Sequence, residues 1–178
     1  MIEKRIFILS GPIRSGKTTR LLNWSTVRDD IYGILTPEIS GKRVFMDIHS
    51  KEQFAMEANL EEKAIITIGR FAFSQSAFLR AIDIIRLSLK NRKMGWLIID
   101  EIGPLELKNG GFATVLKEVI HLQNSEKRIL LVVRDGLSEK VKKKFGINDA
   151  IVITTIDSDL FAKRKICYAR TSCLSRER

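Results

Sequence analysis

The sequence predicts a three-layer α/β protein, in which helices cover both faces of a mostly parallel β-sheet and a β-hairpin is inserted near residues 31–49. Two observations predict this fold class. Short apolar runs alternate along the chain with longer segments of helical periodicity, and one segment carries two extended runs with no helix between them. The chain has 178 residues, of which 44% are hydrophobic and 29% charged, enough for one domain with its own core.

The first predicted strand is the apolar run at residues 5–10, and a helix follows from Lys17 to about Val27. Two more helices are expected at about residues 74–89 and 112–122, because apolar residues recur there at spacings of three and four. A lysine-rich helical pattern follows, with Leu137, Val141 and Phe145 as its buried stripe. The remaining predicted strands are the runs AIITI, WLIID, ILLVV and AIVIT. Strands that alternate with helices of this length indicate crossover connections and a parallel sheet.

The inserted hairpin is predicted between Ile31 and Ile48, where two extended runs surround residues 38–42. Ser40 and Gly41 supply the turn residues. The sequence shows no internal repeat and no low-complexity segment. We therefore expect one domain over residues 1–162, followed by a basic C-terminal tail over residues 163–178 that is partly disordered.

A glycine-rich motif follows the first strand directly and matches the pattern G-x-x-x-x-G-K-[ST] in full. Between a buried strand and a helix, such a loop points backbone N–H groups at phosphate oxygens, and the helix N-terminus adds its positive dipole. Lys17 is expected to bridge the β- and γ-phosphates, and the Thr18 hydroxyl to bind Mg²⁺. The predicted phosphate-binding residues are Gly11, Pro12, Ile13, Arg14, Ser15, Gly16, Lys17, Thr18 and Thr19.

Two adjacent acids follow the apolar strand Trp96–Ile99. Asp100 emerges at its C-terminal end, where open parallel sheets bind their ligands, and is predicted to be the metal-associated carboxylate. Glu101 is predicted to orient or deprotonate the water that attacks the γ-phosphoryl group, which favours hydrolysis. The alternative for Glu101 is a surface cap for the next loop. We interpret Glu106 as such a surface cap or as the fixed partner of a basic residue.

On these two motifs, and on GILTPEISGKRVFMDI and IGRFAFSQSAF, the chain resembles the small P-loop nucleoside-triphosphatase family of the thermophilic nucleoside-triphosphate phosphatase and cancer-related nucleoside triphosphatase type. The resemblance spans about residues 6–155. It implies a P-loop NTPase fold with an extra strand between the phosphate-loop strand and the Asp-Glu strand. It also implies hydrolysis of several nucleoside triphosphates, such as ATP and GTP, to the diphosphate and phosphate with little base preference. In its terms Gly11 to Thr19 form the phosphate loop, Asp100 is metal-associated and Glu101 orients water.

Several arginines are candidates for contact with the phosphates. If the extra strand is ILLVV, Arg134 lies at its C-terminal end near the γ-phosphate, and we predict a catalytic role for it beside Lys17. Arg14 stands where the family commonly has glycine, and Ser40-Gly41 where it often has an arginine. The sequence does not choose among Arg14, Arg70 and Arg134.

The net charge of +10 makes a polyanionic partner worth weighing. Nucleic-acid binding is nevertheless not favoured, because no aromatic residues interleave with the lysines to stack on bases. No apolar run approaches the roughly 18 residues of a membrane span, and Ile6–Leu9 is too short for the core of a signal peptide. Cys167 and Cys173 are expected to be reduced thiols, so we expect a cytoplasmic protein, as a monomer or a weak homo-oligomer.

Two alternatives to hydrolysis stay open at this point. One is a nucleoside or nucleotide kinase of similar fold, and the other a nucleotide-gated protein whose basic tail binds nucleic acid. A kinase needs an acceptor pocket that excludes water, whereas a hydrolase needs a polar group that holds water in line.

Overall fold

The computed structural model describes residues 5–156 apart from residues 60, 63, 70, 93 and 123–125. Arg70, the domain boundary at residue 162 and the basic tail with both cysteines lie outside the described residues. The elements, in chain order, are β1 (Ile6–Gly11), α1 (Lys17–Thr26), β2 (Ile31–Leu35), β3 (Glu38–Ile39), β4 (Lys42–Asp47), β5 (Gln53–Ala55), β6 (Ile65–Ile68), β7 (Phe71–Ser74), α2 (Gln75–Asn91), β8 (Met94–Ile102), α3 (Pro104–Leu107), α4 (Ala113–Ile120), β9 (Glu126–Arg134), α5 (Ser138–Phe145) and β10 (Ile151–Ile153).

The main sheet has the strand order β10-β1-β9-β8-β2-β4-β3, and β5 pairs with β4 outside this path. Every pair from β10 to β2 is parallel, and the pairs that involve β4 are antiparallel. β9 lies between β1 and β8, which confirms the expected extra strand between the phosphate-loop strand and the Asp-Glu strand. The carboxyl ends of β1, β9, β8 and β2 therefore lie along the same edge of the sheet, where ligands bind in folds of this type.

Helices cover both faces of the sheet, so the predicted three layers are confirmed. On one face α1 packs through Leu21 and Trp24, and the Trp24 ring meets the buried Trp96 ring edge-on at a centroid distance of 5.5 Å. On the other face α2, α4 and α5 pack their apolar stripes against the sheet. None of the helices in the described ranges is long and apolar enough to cross a membrane.

The inserted hairpin near residues 31–49 is confirmed, and its first strand also belongs to the parallel sheet. β2 pairs in parallel with β8 and antiparallel with β4. The tight turn between β3 and β4 lies at Ser40 and Gly41, which have φ angles of 51° and 76°. Gly33 in β2 has φ +111°, and a Cβ there would lie 2.1 Å from the Ile98 carbonyl oxygen. This close approach requires glycine.

The AIITI run departs from the simple alternation. Its strand β6 pairs with β7 in a separate two-stranded antiparallel sheet and does not join the main sheet. The helix α2 follows β7 directly, and the Ser74 hydroxyl caps it by accepting a 3.0 Å hydrogen bond from the Ala77 N–H. β6 and β7 therefore form a flap beside the main sheet, fixed to the start of α2.

Candidate active site

The glycine-rich loop runs from the end of β1 into the first turn of α1. Two of its residues, Arg14 and Gly16, have φ angles of 62° and 80°. Gly16 is the residue before α1, a helix of ten residues, so the partial positive charge of the helix N-terminus lies at the loop. Arg14 holds a backbone conformation that favours glycine. The glycine that the resemblance leads us to expect at this position would adopt this conformation without strain.

Lys17 folds back over the loop that precedes it. Its Nζ donates hydrogen bonds to the carbonyl oxygens of Gly11, at 2.7 Å, and Pro12, at 2.8 Å. The Ser15 hydroxyl lies 3.5 Å from the same nitrogen. The ammonium group is thus held against the loop, next to the N–H groups that would surround a phosphate.

Asp100 joins three parts of the chain at the end of β8. The Thr18 hydroxyl donates a 2.9 Å hydrogen bond to Asp100 Oδ2, and the Thr36 backbone N–H donates a 3.1 Å bond to the same oxygen. Only 1% of Asp100 is exposed. Burial raises its pKa to about 6, the Glu101 charge adds to this effect, and the hydrogen bonds from Thr36 and Thr18 oppose it.

The Thr18 hydroxyl and the Asp100 carboxylate are the oxygen ligands that a hard cation such as Mg²⁺ prefers. The described residues contain no group of three or more histidine, cysteine, aspartate or glutamate side chains that could hold a metal. Mg²⁺ commonly binds through one or two protein oxygens, with water and phosphate supplying the rest. The residues at this position fit such an ion.

Glu101 follows Asp100 at an irregularity in β8. Asp100 pairs with Val132 and Ile102 with Val133, so Glu101 is an extra residue between two successive pairs. The peptide bond between Asp100 and Glu101 is cis. The extra residue in β8 forms a bulge, and a bulge redirects the side chain that it carries. Asp100 and Glu101 therefore line the same cleft, although neighbouring residues of a regular strand point to opposite faces.

Two arginines contact the Glu101 carboxylate from different elements. Arg134 Nε, at the end of β9, lies 3.5 Å from Glu101 Oε1. Arg43 Nη1, from β4, lies 3.7 Å from Oε2. Arg134 is paired in register with Gly11 of β1, so the expected position of Arg134 at the end of the extra strand is confirmed. Arg43 was not among the arginines that the sequence singled out.

One cleft of about 1120 Å³ brings most of the predicted site residues together. Its lining includes loop residues 13–19, Asp100, Glu101 and Arg134. Gly11 and Pro12 are outside the lining and contribute through their carbonyl bonds to Lys17. The lining also includes an apolar group, in which successive aromatic rings contact one another: Met56, Phe71, Phe73, Phe78 and Phe112.

Glu106 does cap the loop after β8, as one interpretation held, but from inside the protein and not at the surface, and the alternative of a basic partner is wrong. Only 2% of Glu106 is exposed, and among the described residues it has no cationic partner. Its carboxylate accepts hydrogen bonds from the N–H groups of Gly103, at 2.7 Å, and Phe112, at 3.1 Å. Burial raises its pKa, and these two bonds oppose the rise. Glu106 thus braces the loop after β8 from inside.

Sequence reasoning also missed Thr36 and Arg43. Thr36 contributes its backbone N–H, which no residue type reveals. Arg43 stands three residues before the buried Met46, in the strand that follows the Ser40-Gly41 turn. The alternating pattern of that strand could have indicated which face Arg43 occupies, but only the pairing of β2 with β4 brings that face to Glu101.

Comparison with known proteins adds independent findings. The model of a family described as NTPase matches residues 6–163. Nucleoside-triphosphatase THEP1 from Thermotoga petrophila is 25% identical over 146 residues, which cover 79% of this chain and 79% of that protein.

Two solved structures resemble the fold. The crystal structure of THEP1 from the hyperthermophile Aquifex aeolicus has a TM-score of 0.66 at 19% identity, covering 88% of this chain and 92% of the other. The solution structure of a human cancer-related nucleoside triphosphatase has a TM-score of 0.63 at 20% identity, covering 87% and 90%. At these identities the likeness shows a shared fold.

Proposed function

This chain belongs to the NTPase family and is a nucleoside-triphosphatase, and from this premise we propose that it hydrolyses ATP, GTP and other nucleoside triphosphates to the diphosphate and phosphate with the help of Mg²⁺. One observation carries the proposal. The phosphate loop, the Thr18–Asp100 pair and Glu101 line a single cleft. The groups that we propose to bind the phosphates, to hold the cation and to act as the base are therefore close together.

Thr18 and Asp100 would hold the Mg²⁺ ion through their oxygens. Burial raises the pKa of Asp100 to about 6. A cation bound beside the carboxylate would lower this pKa again and favour the charged form. Bound Mg²⁺ would neutralise charge that develops on the phosphate oxygens.

The chain's own residues divide the remaining tasks. Loop N–H groups and the N-terminus of α1 bind phosphate oxygens. Lys17 exchanges its bonds to the Gly11 and Pro12 carbonyls for bonds to the phosphate oxygens. Glu101 accepts a proton from the water that attacks the γ-phosphorus, and its position beside Asp100 in the cleft supports this role. Attack opposite the leaving oxygen requires the water to enter from the side of the cleft away from the loop.

A phosphate-release assay tests the proposal. Purified protein is incubated with ATP, GTP, CTP or UTP, with Mg²⁺ or with EDTA, and inorganic phosphate is measured without any acceptor. We expect steady release from all four with Mg²⁺, none above background with EDTA, and a loss of roughly 10²-fold or more in Lys17→Ala. Release that is insensitive to both EDTA and Lys17→Ala would contradict the proposal.

The size and lining of the cleft favour a second candidate function, phosphoryl transfer to a nucleoside. The volume of about 1120 Å³ lies slightly above the roughly 300–1,000 Å³ that is usual for ligand pockets, so the cleft could hold a nucleoside beside the nucleotide. Part of the lining is apolar, and Phe71 in it is 48% exposed, so a planar base could stack on Phe71. A nucleoside hydroxyl would then attack the γ-phosphorus, pass its proton to Glu101 and displace the nucleoside diphosphate.

The two functions differ in where the phosphoryl group goes. If this second candidate is right, adding nucleosides to ATP labelled on the γ-phosphate diverts label from inorganic phosphate into nucleoside monophosphate. Phe71→Ala then weakens nucleoside use about tenfold, the scale of one stacked base. Leu79→Ala is the matched control, because Leu79 is exposed on α2 outside the cleft lining. If no nucleoside changes the release of inorganic phosphate, transfer to a nucleoside is excluded and hydrolysis is the function that remains.

The alternative of a nucleic-acid-binding protein, which the sequence does not favour, rests on the basic tail, and that tail lies outside the described residues. The cytoplasmic location and the monomeric or weakly oligomeric state also remain to be tested.

A further inference from the structure

Glu101 occupies the space between two cations that come from opposite sides of the cleft. Each of its carboxylate oxygens faces a different arginine, Oε1 facing Arg134 and Oε2 facing Arg43. Arg134 ends β9, beside the phosphate-loop strand, whereas Arg43 belongs to the inserted hairpin on the far side of β8 and β2. The carboxylate therefore links the two walls of the cleft.

Both contacts are loose. Their distances of 3.5 and 3.7 Å exceed the 2.7–2.9 Å that is usual when a guanidinium donates to a carboxylate. By contrast, Arg86 binds Glu118 through two nitrogens at 2.6 and 3.0 Å. Because even the nearest nitrogens of Arg43 and Arg134 lie 3.7 and 3.5 Å from Glu101, neither arginine makes the two-pronged hydrogen-bonded contact of which a guanidinium is capable.

Neither arginine is buried. The side chains of Arg43 and Arg134 are 43% and 39% exposed, and ion pairs with this exposure contribute little to stability. A phosphoryl group is a stronger partner, because it carries more charge and its oxygens match the guanidinium fork. An anion that enters the cleft beside Glu101 would compete well for both arginines.

We propose that Arg43 is a second phosphate-contacting arginine, which leaves Glu101 and binds the terminal phosphoryl group when a nucleoside triphosphate enters the cleft. Together with Arg134 it would clamp that group from the side opposite the phosphate loop, and Glu101, freed from both, would hold the attacking water. This inference rests on the proposed function, because it assumes that the triphosphate binds along the loop. It differs from that function in naming a residue of the inserted hairpin as part of the site.

Replacing Arg43 should therefore weaken the binding of a nucleoside triphosphate and leave the binding of a nucleoside diphosphate almost unchanged. The β- and α-phosphates of a diphosphate lie at the loop, and only a γ-phosphate reaches the cations at Glu101. The measurement is isothermal titration calorimetry with ADP and with the non-hydrolysable β,γ-imido analogue of ATP, both with Mg²⁺. We expect Arg43→Ala to weaken binding of the analogue about tenfold and to change ADP binding less than twofold.

Lys42→Ala is the matched control, since it removes the same charge from the next residue of β4 and Lys42 lies outside the cleft lining. It should leave both affinities unchanged. Arg43→Lys, which keeps the charge but loses the fork, should give an intermediate loss for the analogue only. Thermal unfolding of each variant checks that the hairpin is intact.

A double-mutant cycle tests the exchange itself. Glu101→Gln removes the competing carboxylate charge, so it should tighten binding of the ATP analogue several-fold and leave ADP binding unchanged. Adding Arg43→Ala should cancel most of this gain. Equal effects of Arg43→Ala on both nucleotides, or no effect on either, would overturn the inference while leaving hydrolysis intact. If neither nucleotide binds the unaltered protein, the proposed function fails, and this inference fails with it.

Discussion

Thr18 at the start of α1 donates a 2.9 Å hydrogen bond to Asp100 at the end of β8, 82 residues further along the chain. The bond joins the two oxygens that would hold Mg²⁺ and places them side by side. The first prediction concerns this pair.

Thr18→Ala should remove the contribution of Mg²⁺ to nucleotide binding. In the unaltered protein, ADP should bind more tightly with Mg²⁺ than with EDTA, because the ion bridges phosphate and protein oxygens. The alanine variant should bind ADP about equally in both conditions, and Thr18→Ser, which keeps the hydroxyl, should behave like the unaltered protein. Calorimetry measures the difference, and an alanine variant that retains the full Mg²⁺ effect would exclude Thr18 as a ligand.

Glu101→Gln should retain nucleotide binding and lose turnover. Glutamine has nearly the same shape, but it cannot accept the proton of the attacking water. Phosphate release should fall about 10²-fold or more, the scale of general-base assistance. Full activity in this variant would remove Glu101 from the mechanism.

Glu106→Gln should destabilise the protein by an amount that depends on pH. A glutamine oxygen can accept from only one of the Gly103 and Phe112 N–H groups, and a buried unpaired donor costs about 1–3 kcal/mol. The pKa of Glu106 is raised above its ordinary value of 4.5 in the folded protein. As the pH rises above 4.5 the unfolded chain therefore ionises first, and the free energy of unfolding falls until the folded carboxyl also ionises.

The glutamine variant lacks this fall. The difference in unfolding free energy between the unaltered protein and the variant should therefore be largest at and below pH 4.5 and smaller at pH 7. Urea denaturation at both pH values measures it. A difference that grows with pH would mean that the folded protein favours the charged form of Glu106.

Gly33→Ala should destabilise the protein by several kcal/mol, about 3 or more, or prevent folding. Its Cβ would lie 2.1 Å from the Ile98 carbonyl oxygen, in addition to the strain of φ +111°. Gly41→Ala is a control for the strain alone, because φ is +76° there and no atom lies within 4 Å of the added Cβ. We expect about 1–2 kcal/mol for Gly41→Ala, and urea denaturation compares the two. Equal costs would show that β2 can move away from β8.

The phosphate loop and the two acids could be predicted because each depends on residues that are adjacent in the sequence. The loop follows its strand directly, and Asp100 ends an apolar run, so local pattern places both at the same edge of the sheet. The position of β9 between β1 and β8 came from resemblance to a family. Strand order depends on contacts between distant segments, which the periodicity of each segment does not encode.

What the sequence did not predict has two physical causes. The first is that burial of a charged side chain is rare, so Glu106 was placed on the surface, although two backbone N–H groups compensate for its burial. The second is register between distant strands. Arg43 reaches Glu101 only because β4 pairs with β2, and β6 avoids the main sheet only because it pairs with β7. An apolar run such as that of β6 has the same sequence pattern whether its strand joins the main sheet or a separate one.

The placement of β9 also bears on which anions the cleft can distinguish. Two interstrand spacings, about 9–10 Å in all, separate the backbone of β1 from that of β8. Side chains such as Thr18 and Asp100 bridge this gap, but an anion bound by the loop N–H groups must still be extended to reach the arginines at Glu101, so we expect the cleft to favour longer polyphosphates. We expect inorganic tripolyphosphate to compete with ATP and pyrophosphate to compete far less, as inhibition of phosphate release from labelled ATP would show. Equal inhibition by the two would mean that interstrand distance plays no part in selection.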